Sequence, residues 1–345
     1  MPLLRHDLPL HGRKTEGASL KILIVAPSWI GDTIMMQPLL MRLKARDPAA
    51  EIQVLAPAWS ASLLTRMPEV DAVIENPFPH GSFDWAGRRA LGRRLASAGF
   101  SAAYVLPNSW KSALVPFFAR IPRRIGHTGE ARFFLLNERH SKSTLPRLVD
   151  RYAALAGEFP DPTPKPRLIS TPERQRQARE ALGLPLESVA VIFCPGAEYG
   201  PAKRWPAHHF ATLARRLDAP VWLLGSAKDA PIGEEIAHLS AGKALNLCGR
   251  TTLEQAIDLI ASARAVVSND SGLMHVAAAL DRPLIALYGS SSPSFTPPLS
   301  AHAKILSLEL PCSPCFKREC PLAPPDTLRC LEDLTPERVL DALNH

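Results

Sequence analysis

The stretch from Ala265 to Gly289, AVVSNDSGLMHVAAALDRPLIALYG, decides the fold class. Ala265 to Ser268 is a short apolar run suited to a buried strand, Leu273 to Leu280 continues as a helix, and Pro283 to Tyr288 returns to strand. Its polar residues gather at one point, Asn269-Asp270-Ser271-Gly272, between the first strand and the helix. There the unpaired N–H groups and the positive dipole end of a helix can hold a phosphate. His275 lies one turn further in, within reach of the same ligand. Capping of the helix by Asp270 or Ser271, with His275 half-buried on the surface, accounts for the same residues. The rest of the chain has to decide between the two.

The same unit recurs upstream. Lys21 to Ala26, KILIVA, leads into Pro27-Ser28-Trp29-Ile30-Gly31-Asp32-Thr33 and then a helical pattern through Ile34, Met35, Leu39, Leu40 and Leu43. Ligands in open parallel sheets collect at the carboxyl ends of strands, which puts Asp32 where chemistry is done; capping of the helix is its alternative role. With a single glycine, the loop is neither a dinucleotide fingerprint nor a Walker P-loop. Further strands are expected at Ile52 to Ala56, Ala72 to Ile74 and Ala102 to Leu106. The last is followed by Pro107-Asn108-Ser109-Trp110-Lys111-Ser112, where Asn108, Ser109 and Lys111 offer hydrogen bonds to a sugar or phosphate. Arg120, Arg123, Arg124 and Arg132 then alternate with Phe117, Phe118, Phe133 and Phe134. Such a set can grip an amphipathic anion, or simply form a packed surface with a charged rim.

Glu158 to Pro172 carries five prolines and reads as a stiff interdomain linker. The expected organisation is an extension over residues 1–20, a first α/β domain over 21–168 and a second over 169–345. The second opens with a helix near Pro172 to Leu182 and a strand at Val189 to Cys194, followed by the loop Pro195 to Pro206 and a helix near Ala207 to Leu217. In that loop Gly196 allows close backbone approach and Lys203 can neutralise a diphosphate. Val221 to Ser226 supplies another strand, Leu245 to Thr252 another strand end, and Thr335 to Leu343 a closing helix.

With 345 residues and 46% hydrophobic content, two ordinary globular cores are affordable, and no apolar stretch reaches membrane-spanning length. The first twenty residues lack the apolar region of a secretory signal, so a cytoplasmic protein is expected. Net charge is +7 but unevenly spread: residues 1–168 hold 23 Lys+Arg against 14 Asp+Glu, an excess of +9, while the remainder holds 17 against 19, or −2. The first half should meet an anionic membrane surface or acidic substrate, unless its charge is merely solvated. Nucleic acid is disfavoured by 6% aromatic content and the lack of any recognised nucleic-acid signature. Four of six cysteines fall in one tail segment, Cys312, Cys315, Cys320 and Cys330, a spacing open to a tetrahedral zinc site or to reduced thiols. Cys194 and Cys248 read as buried core residues.

SWIGD at Ser28 to Asp32, KRWP at Lys203 to Pro206, SNDSGLMH at Ser268 to His275 and CSPCFKREC at Cys312 to Cys320 together resemble glycosyltransferase family 9, the ADP-heptose:lipopolysaccharide heptosyltransferases. The resemblance covers nearly everything from Lys21 onward, and the cysteine segment points to the branch that adds the second heptose. The tail departs from the family in carrying Pro324-Pro325-Asp326 where Gly-His is usual. The resemblance implies a GT-B fold, two Rossmann-like domains facing a central cleft, with acceptor on the first and ADP-heptose on the second. The implied reaction moves L-glycero-D-manno-heptose from ADP-heptose to the first heptose of the inner core, on a heptosyl-Kdo-lipid A acceptor, with inversion.

On that resemblance Asp32 is the expected base, and Lys203, Thr251, Asp270, Ser271, Gly272 and His275 the donor-site residues, to which the loop reading adds Gly196. Asn108, Ser109, Lys111 and Arg132 are expected at the acceptor. No cofactor or metal is required if Lys203 and a helix N-terminus balance the diphosphate. Contact with the anionic inner-membrane surface is expected to be peripheral and cytoplasmic. Another transferase of the family, a nucleotide-sugar epimerase of the same fold and a non-catalytic scaffold of envelope assembly are the alternatives.

Overall fold

A computed structural model of the chain describes residues 20–79, 81–141 and 145–345. The extension expected over residues 1–20 lies outside them except for Leu20. Two six-stranded parallel sheets organise the molecule. The first contains β1 (Lys21–Val25), β2 (Glu51–Ala56), β3 (Ala72–Glu75), β4 (Ala102–Val105), β5 (Arg123–His127) and β6 (Glu138–His140). The second contains β7 (Val191–Cys194), β8 (Val221–Leu223), β9 (Ala244–Asn246), β10 (Ala265–Asn269), β11 (Leu284–Tyr288) and β12 (Ala303–Ser307). Their orders, β3-β2-β1-β4-β5-β6 and β12-β11-β10-β7-β8-β9, are the same doubly wound order met from opposite edges. Each sheet therefore has one place where strand order reverses, between β1 and β4 and between β7 and β10, and there the loops part to leave a crevice.

The central strands are near-continuous apolar runs because helices cover both faces. Every residue of β4, β7, β10 and β11 is buried. One core runs without a break across both units, with Ile24, Ile34, Met35 and Leu39 from the first joining Ile192, Val266, Met274 and Ala278 from the second. Each of the larger of these side chains contributes roughly 1.5–3 kcal/mol on burial. β5, β6 and β12 were not expected from the sequence. Their sequences, RRIGH, ERH and AKILS, are short and polar because β6 and β12 are edge strands and β5 lies one in from the edge.

The proline-rich segment is irregular, but its last residues are held by both units. Gln37 Nε2 donates to Arg167 O at 2.8 Å and its Oε1 accepts from Arg167 N at 2.8 Å. Leu168 N donates to Ala279 O at 2.8 Å, and Ile169 N to Arg66 O at 3.0 Å. Arg66, with a side chain 1% exposed, then forms a two-pronged ion pair with Asp258 of the helix Leu253–Ala261, at 2.8 and 2.7 Å. Ser170 Oγ donates to the same carboxylate at 2.7 Å. A buried pair of this kind repays its desolvation only when its geometry is good and the remaining polar atoms are used; here the Asp258 carboxylate takes the guanidinium and Ser170, while Arg66 Nε is buried with no partner among the described residues.

Candidate active site

The two crevices are neighbours. The first is a cavity of about 600 Å³ at the carboxyl ends of β1 and β4, lined among others by Ser28, Trp29, Asp32, Asn108, Ser109, Lys111 and Tyr152. The second, about 370 Å³, opens at the ends of β7, β8 and β10 and is lined by Gly196, Glu198, Ser226, Asp229, Ser271 and Gly272. Ser28 and Trp29 line both, so the loop after β1 is the wall between them.

That loop feeds the helix Ile30–Met35, whose N-cap position is Trp29 with no side-chain capping bond. Asp32 stands in the first turn rather than at the cap, so capping does not account for it. Its carboxylate has no hydrogen bond or ion pair among the described residues. Burial pushes its pKa from 3.8 up to about 6, against a smaller opposing pull from the Lys203 ammonium. Tyr152, from the helix Leu148–Ala154, lines the same cavity. Burial and the charge of Asp32 both push its phenol upward, so it remains a proton donor.

Facing this helix is Gly272–Ala279, whose N-cap Ser271 is extended and makes no capping bond, so the strict capping alternative fails there too. Its first N–H groups open on the second cavity through Ser271, Gly272 and Leu273. The two helices meet where only glycine fits: a Cβ at Gly31 would lie 2.7 Å from His275 Cδ2, and one at Gly272 would lie 2.8 Å from Ile30 Cβ. His275 is thus a buried packing residue between the units and lines neither large cavity. Burial lowers its pKa to about 4, leaving it neutral.

Lys203 reaches the junction because its loop is anchored on both sides. Buried Trp205 donates its backbone N–H to Asn269 Oδ1 at 3.0 Å and its indole N–H to Leu334 O at 2.7 Å, while Asn269 Nδ2 donates to Pro195 O at 2.7 Å. Lys203 Nζ then sits 2.5 Å from Asp270 Oδ2, which also accepts the Ser291 hydroxyl at 2.5 Å. The same ammonium acts electrostatically on Asp32 and on His275, though it lines neither cavity.

The cysteine segment supports this loop from behind. Tyr199 Oη donates to Phe316 O at 2.9 Å, Arg318 Nε to Tyr199 O at 2.9 Å, and Ala202 N to Arg318 O at 3.1 Å. Burial, followed by the neighbouring Cys312, Cys315 and Cys320, pushes the Cys330 thiol up to about 11. Among the described residues, the group whose ligand atoms lie within 4.8 Å of one another is His208, His209 and Glu332, not the cysteines. It lines neither cavity, and His209 Nε2 is already 2.8 Å from Glu332 O.

Of the expected site residues, Lys203, Asp270, His275, Thr251 and Arg132 line neither cavity. Arg132 is 2% exposed and spent on backbone carbonyls, with 2.5 Å to Pro107 O and 2.7 Å to His127 O. Its bonds to Pro107 O and Ser109 O shape the Asn108 loop. Thr251 lines neither cavity. Gly196 does line the second, but a Cβ there would lie 2.5 Å from the Asp229 carboxylate, so Asp229 alone demands the glycine. Asp229 and Ser226 were missed, although the Ser-x-x-Asp spacing after β8 carries a signal: Ser226 N and Oγ donate to Asp229 Oδ2 at 2.9 and 2.7 Å. Tyr152 gave none, because a tyrosine on an amphipathic helix reads as core.

Comparison with known proteins bears on this arrangement. The sequence profile of glycosyltransferase family 9 (heptosyltransferase) matches residues 88–325. Lipopolysaccharide heptosyltransferase 2 of Salmonella typhimurium is 47% identical over 344 residues, covering 94% of this chain and 98% of the relative. The structure of ADP-heptose lps heptosyltransferase II from E. coli superposes with a TM-score of 0.82 at 45% identity, covering 94% of this chain and 98% of that one. The E. coli heptosyltransferase WaaC with ADP, at 21% identity and a TM-score of 0.69 over 94% of this chain and 99% of that one, shares the fold.

Proposed function

The chain belongs to glycosyltransferase family 9, the heptosyltransferases, and from that premise we infer how its two crevices divide the work of heptose transfer in lipopolysaccharide inner-core biosynthesis. ADP-heptose occupies the second cavity and the heptosyl-Kdo-lipid A acceptor the first, with the first core heptose as nucleophile. The acceptor oxygen attacks the anomeric carbon while Asp32 takes its proton. The bond to the diphosphate breaks on the opposite side, its electron pair leaving with ADP, and the anomeric centre inverts.

The observation that carries this reading is Asp32 itself, a carboxylate without a partner among the described residues and with a pKa of about 6, on the cavity beside the donor crevice. A base that is ionised near neutrality yet still basic suits the step. Lys203 and the N-terminus of Gly272–Ala279 stand ready for the departing diphosphate, so no metal is assigned a role. Asp270 holds Lys203 in place and orders the loop, and Asn108, Ser109 and Lys111 meet acceptor hydroxyls or phosphates. The acceptor is lipid-linked, so the enzyme works in peripheral contact with the cytoplasmic face of the inner membrane. Among the described residues no helix is long and apolar enough to cross a membrane.

The test is incubation with ADP-heptose and mono-heptosylated core, followed by mass analysis and linkage determination. One added heptose with released ADP is expected. Release of ADP without transfer, or addition only to a core lacking the first heptose, sinks the assignment.

A further inference from the structure

The first unit carries a second basic feature away from its cavity. On the outer side of the helices Trp85–Leu95 and Leu114–Phe118, a groove of about 570 Å³ is lined by Arg89, Arg93, Arg120 and Arg124 together with Phe117 and Phe118. Arg124 is structural, its guanidinium bonded to Leu135 O and Ile121 O at 2.7 and 2.6 Å. Arg123, next to it in sequence, is paired with Glu138. Arg89, Arg93 and Arg120 are exposed and hold no ion pair among the described residues.

A band of aromatic rings joins this groove to the mouth of the Asp32 cavity. Trp110 and Phe83, which line the cavity, have ring centroids 4.9 Å apart. Phe83 is followed by Trp85 at 6.4 Å, Trp85 by Phe118 at 5.1 Å, and Phe118 by Phe117 at 5.5 Å. The band is not tucked away: Phe83 and Trp85 are each 48% exposed, Phe117 39% and Trp110 38%. A run of solvated aromatics on a soluble surface marks an interaction site. Tryptophan and phenylalanine favour the headgroup level of a bilayer, and unpaired arginines of one sign favour anionic lipid.

We propose that the aromatic band and the arginine groove form the surface on which this enzyme docks to an anionic lipid bilayer, with the Asp32 cavity opening along it. The orientation of the cavity rests on its assignment to the lipid-linked acceptor. The charge complementarity of the groove does not. The arginines hold the headgroups, the rings enter the interface, and the sugar of an embedded acceptor meets the cavity without leaving the membrane surface.

The experiment compares wild type, the triple variant Arg89→Gln/Arg93→Gln/Arg120→Asn, and Phe117→Ser. Asn is chosen at Arg120 because its φ is 54°, a left-handed conformation that Asn tolerates. Partitioning is measured onto vesicles of phosphatidylcholine alone and of phosphatidylcholine with phosphatidylglycerol, across a salt series. Wild type should bind the anionic vesicles in a salt-sensitive way, and the triple variant should lose on the order of tenfold or more, since each basic residue near such a surface is worth roughly fivefold. Phe117→Ser should weaken binding at every salt concentration. All three should turn over a deacylated, water-soluble acceptor equally, which also shows that they are folded. Equal partitioning of wild type and triple variant, or equal binding to both vesicle types, overturns the docking surface. Lack of product from wild type on the soluble acceptor overturns the assigned reaction instead, and the vesicle comparison is unaffected by it.

Discussion

In the first cavity Asp32 has no partner among the described residues and titrates near 6, whereas Asp270, more deeply buried at 6% exposure, holds the Lys203 ammonium and the Ser291 hydroxyl. Both carboxylates are largely withdrawn from water, and what differs is whether a partner answers the charge. An unanswered carboxylate keeps a proton affinity that a transfer step can use. An answered one fixes a cation in the geometry an incoming anion will need, at little reorganisation cost. On the proposed reading proton handling and charge handling are separate, and the wall between the two crevices, Ser28 and Trp29, is one loop thick.

The hardest way to break this contrast is Asp32→Asn. Turnover should fall by about 10²–10⁴-fold, the usual cost of losing a general base, with affinity for ADP-heptose changed no more than a few fold. ADP release and calorimetric titration of the donor measure the two separately. A variant keeping a tenth of wild-type turnover removes Asp32 from the role.

A smaller effect is expected at Lys203→Ala, which takes the answer away from Asp270. Donor affinity and turnover should fall together by the equivalent of roughly 1.5–3 kcal/mol for a charge-assisted bond. Adding Asp270→Asn to that variant should recover part of the loss, because the uncompensated carboxylate next to the diphosphate is then gone. Strict additivity of the two substitutions would show that the pair does not act as a unit.

The third expectation concerns stability. The folded pKa of Asp32 is raised, so between about 3.8 and 6 the native state holds more protons than the unfolded chain, and stability falls as pH rises through that window. Asp32→Asn should therefore be more stable than wild type at pH 7, by up to about 3 kcal/mol from a two-unit shift, and no different at pH 3. Chemical denaturation at the two pH values measures it. The mildest expectation is kinetic: wild-type turnover should fall about tenfold per pH unit below 6, and remain level just above. A profile flat from pH 5 to 8 contradicts the proton-transfer role.

Much of this was legible in the sequence, for definite reasons. β1, β4, β7, β10 and β11 lie away from the sheet edges, and the apolar runs within them announce them. The loops that follow β1, β4, β7 and β10 carry the polar clusters, so Asp32, Asn108, Lys203 and Ser271 could be picked out by position. What stayed hidden depends on neighbours distant in the chain. Arg132 among phenylalanines looks like a surface cation, and only the fold reveals the backbone carbonyls of Pro107 and His127 waiting for it. His275 reads as within reach of the loop's ligand, and only the fold shows Gly31 packed on its ring. The tail cysteines suggest chemistry, while the adjoining Phe316 and Arg318 brace the loop of Lys203.

The Arg66–Asp258 pair limits how such an enzyme can be recombined. A chimera that takes its first half from one relative and its second from another, joined among the prolines, brings together two positions 192 residues apart that never shared a chain. If one half supplies the charge and the other does not, an unpaired ion is left in the interface, a loss of about 3–5 kcal/mol and a large part of a typical domain's stability. If both halves carry apolar residues of matching volume, the joint is nearly free of penalty. Recombining the two halves between relatives therefore has to match these two side chains.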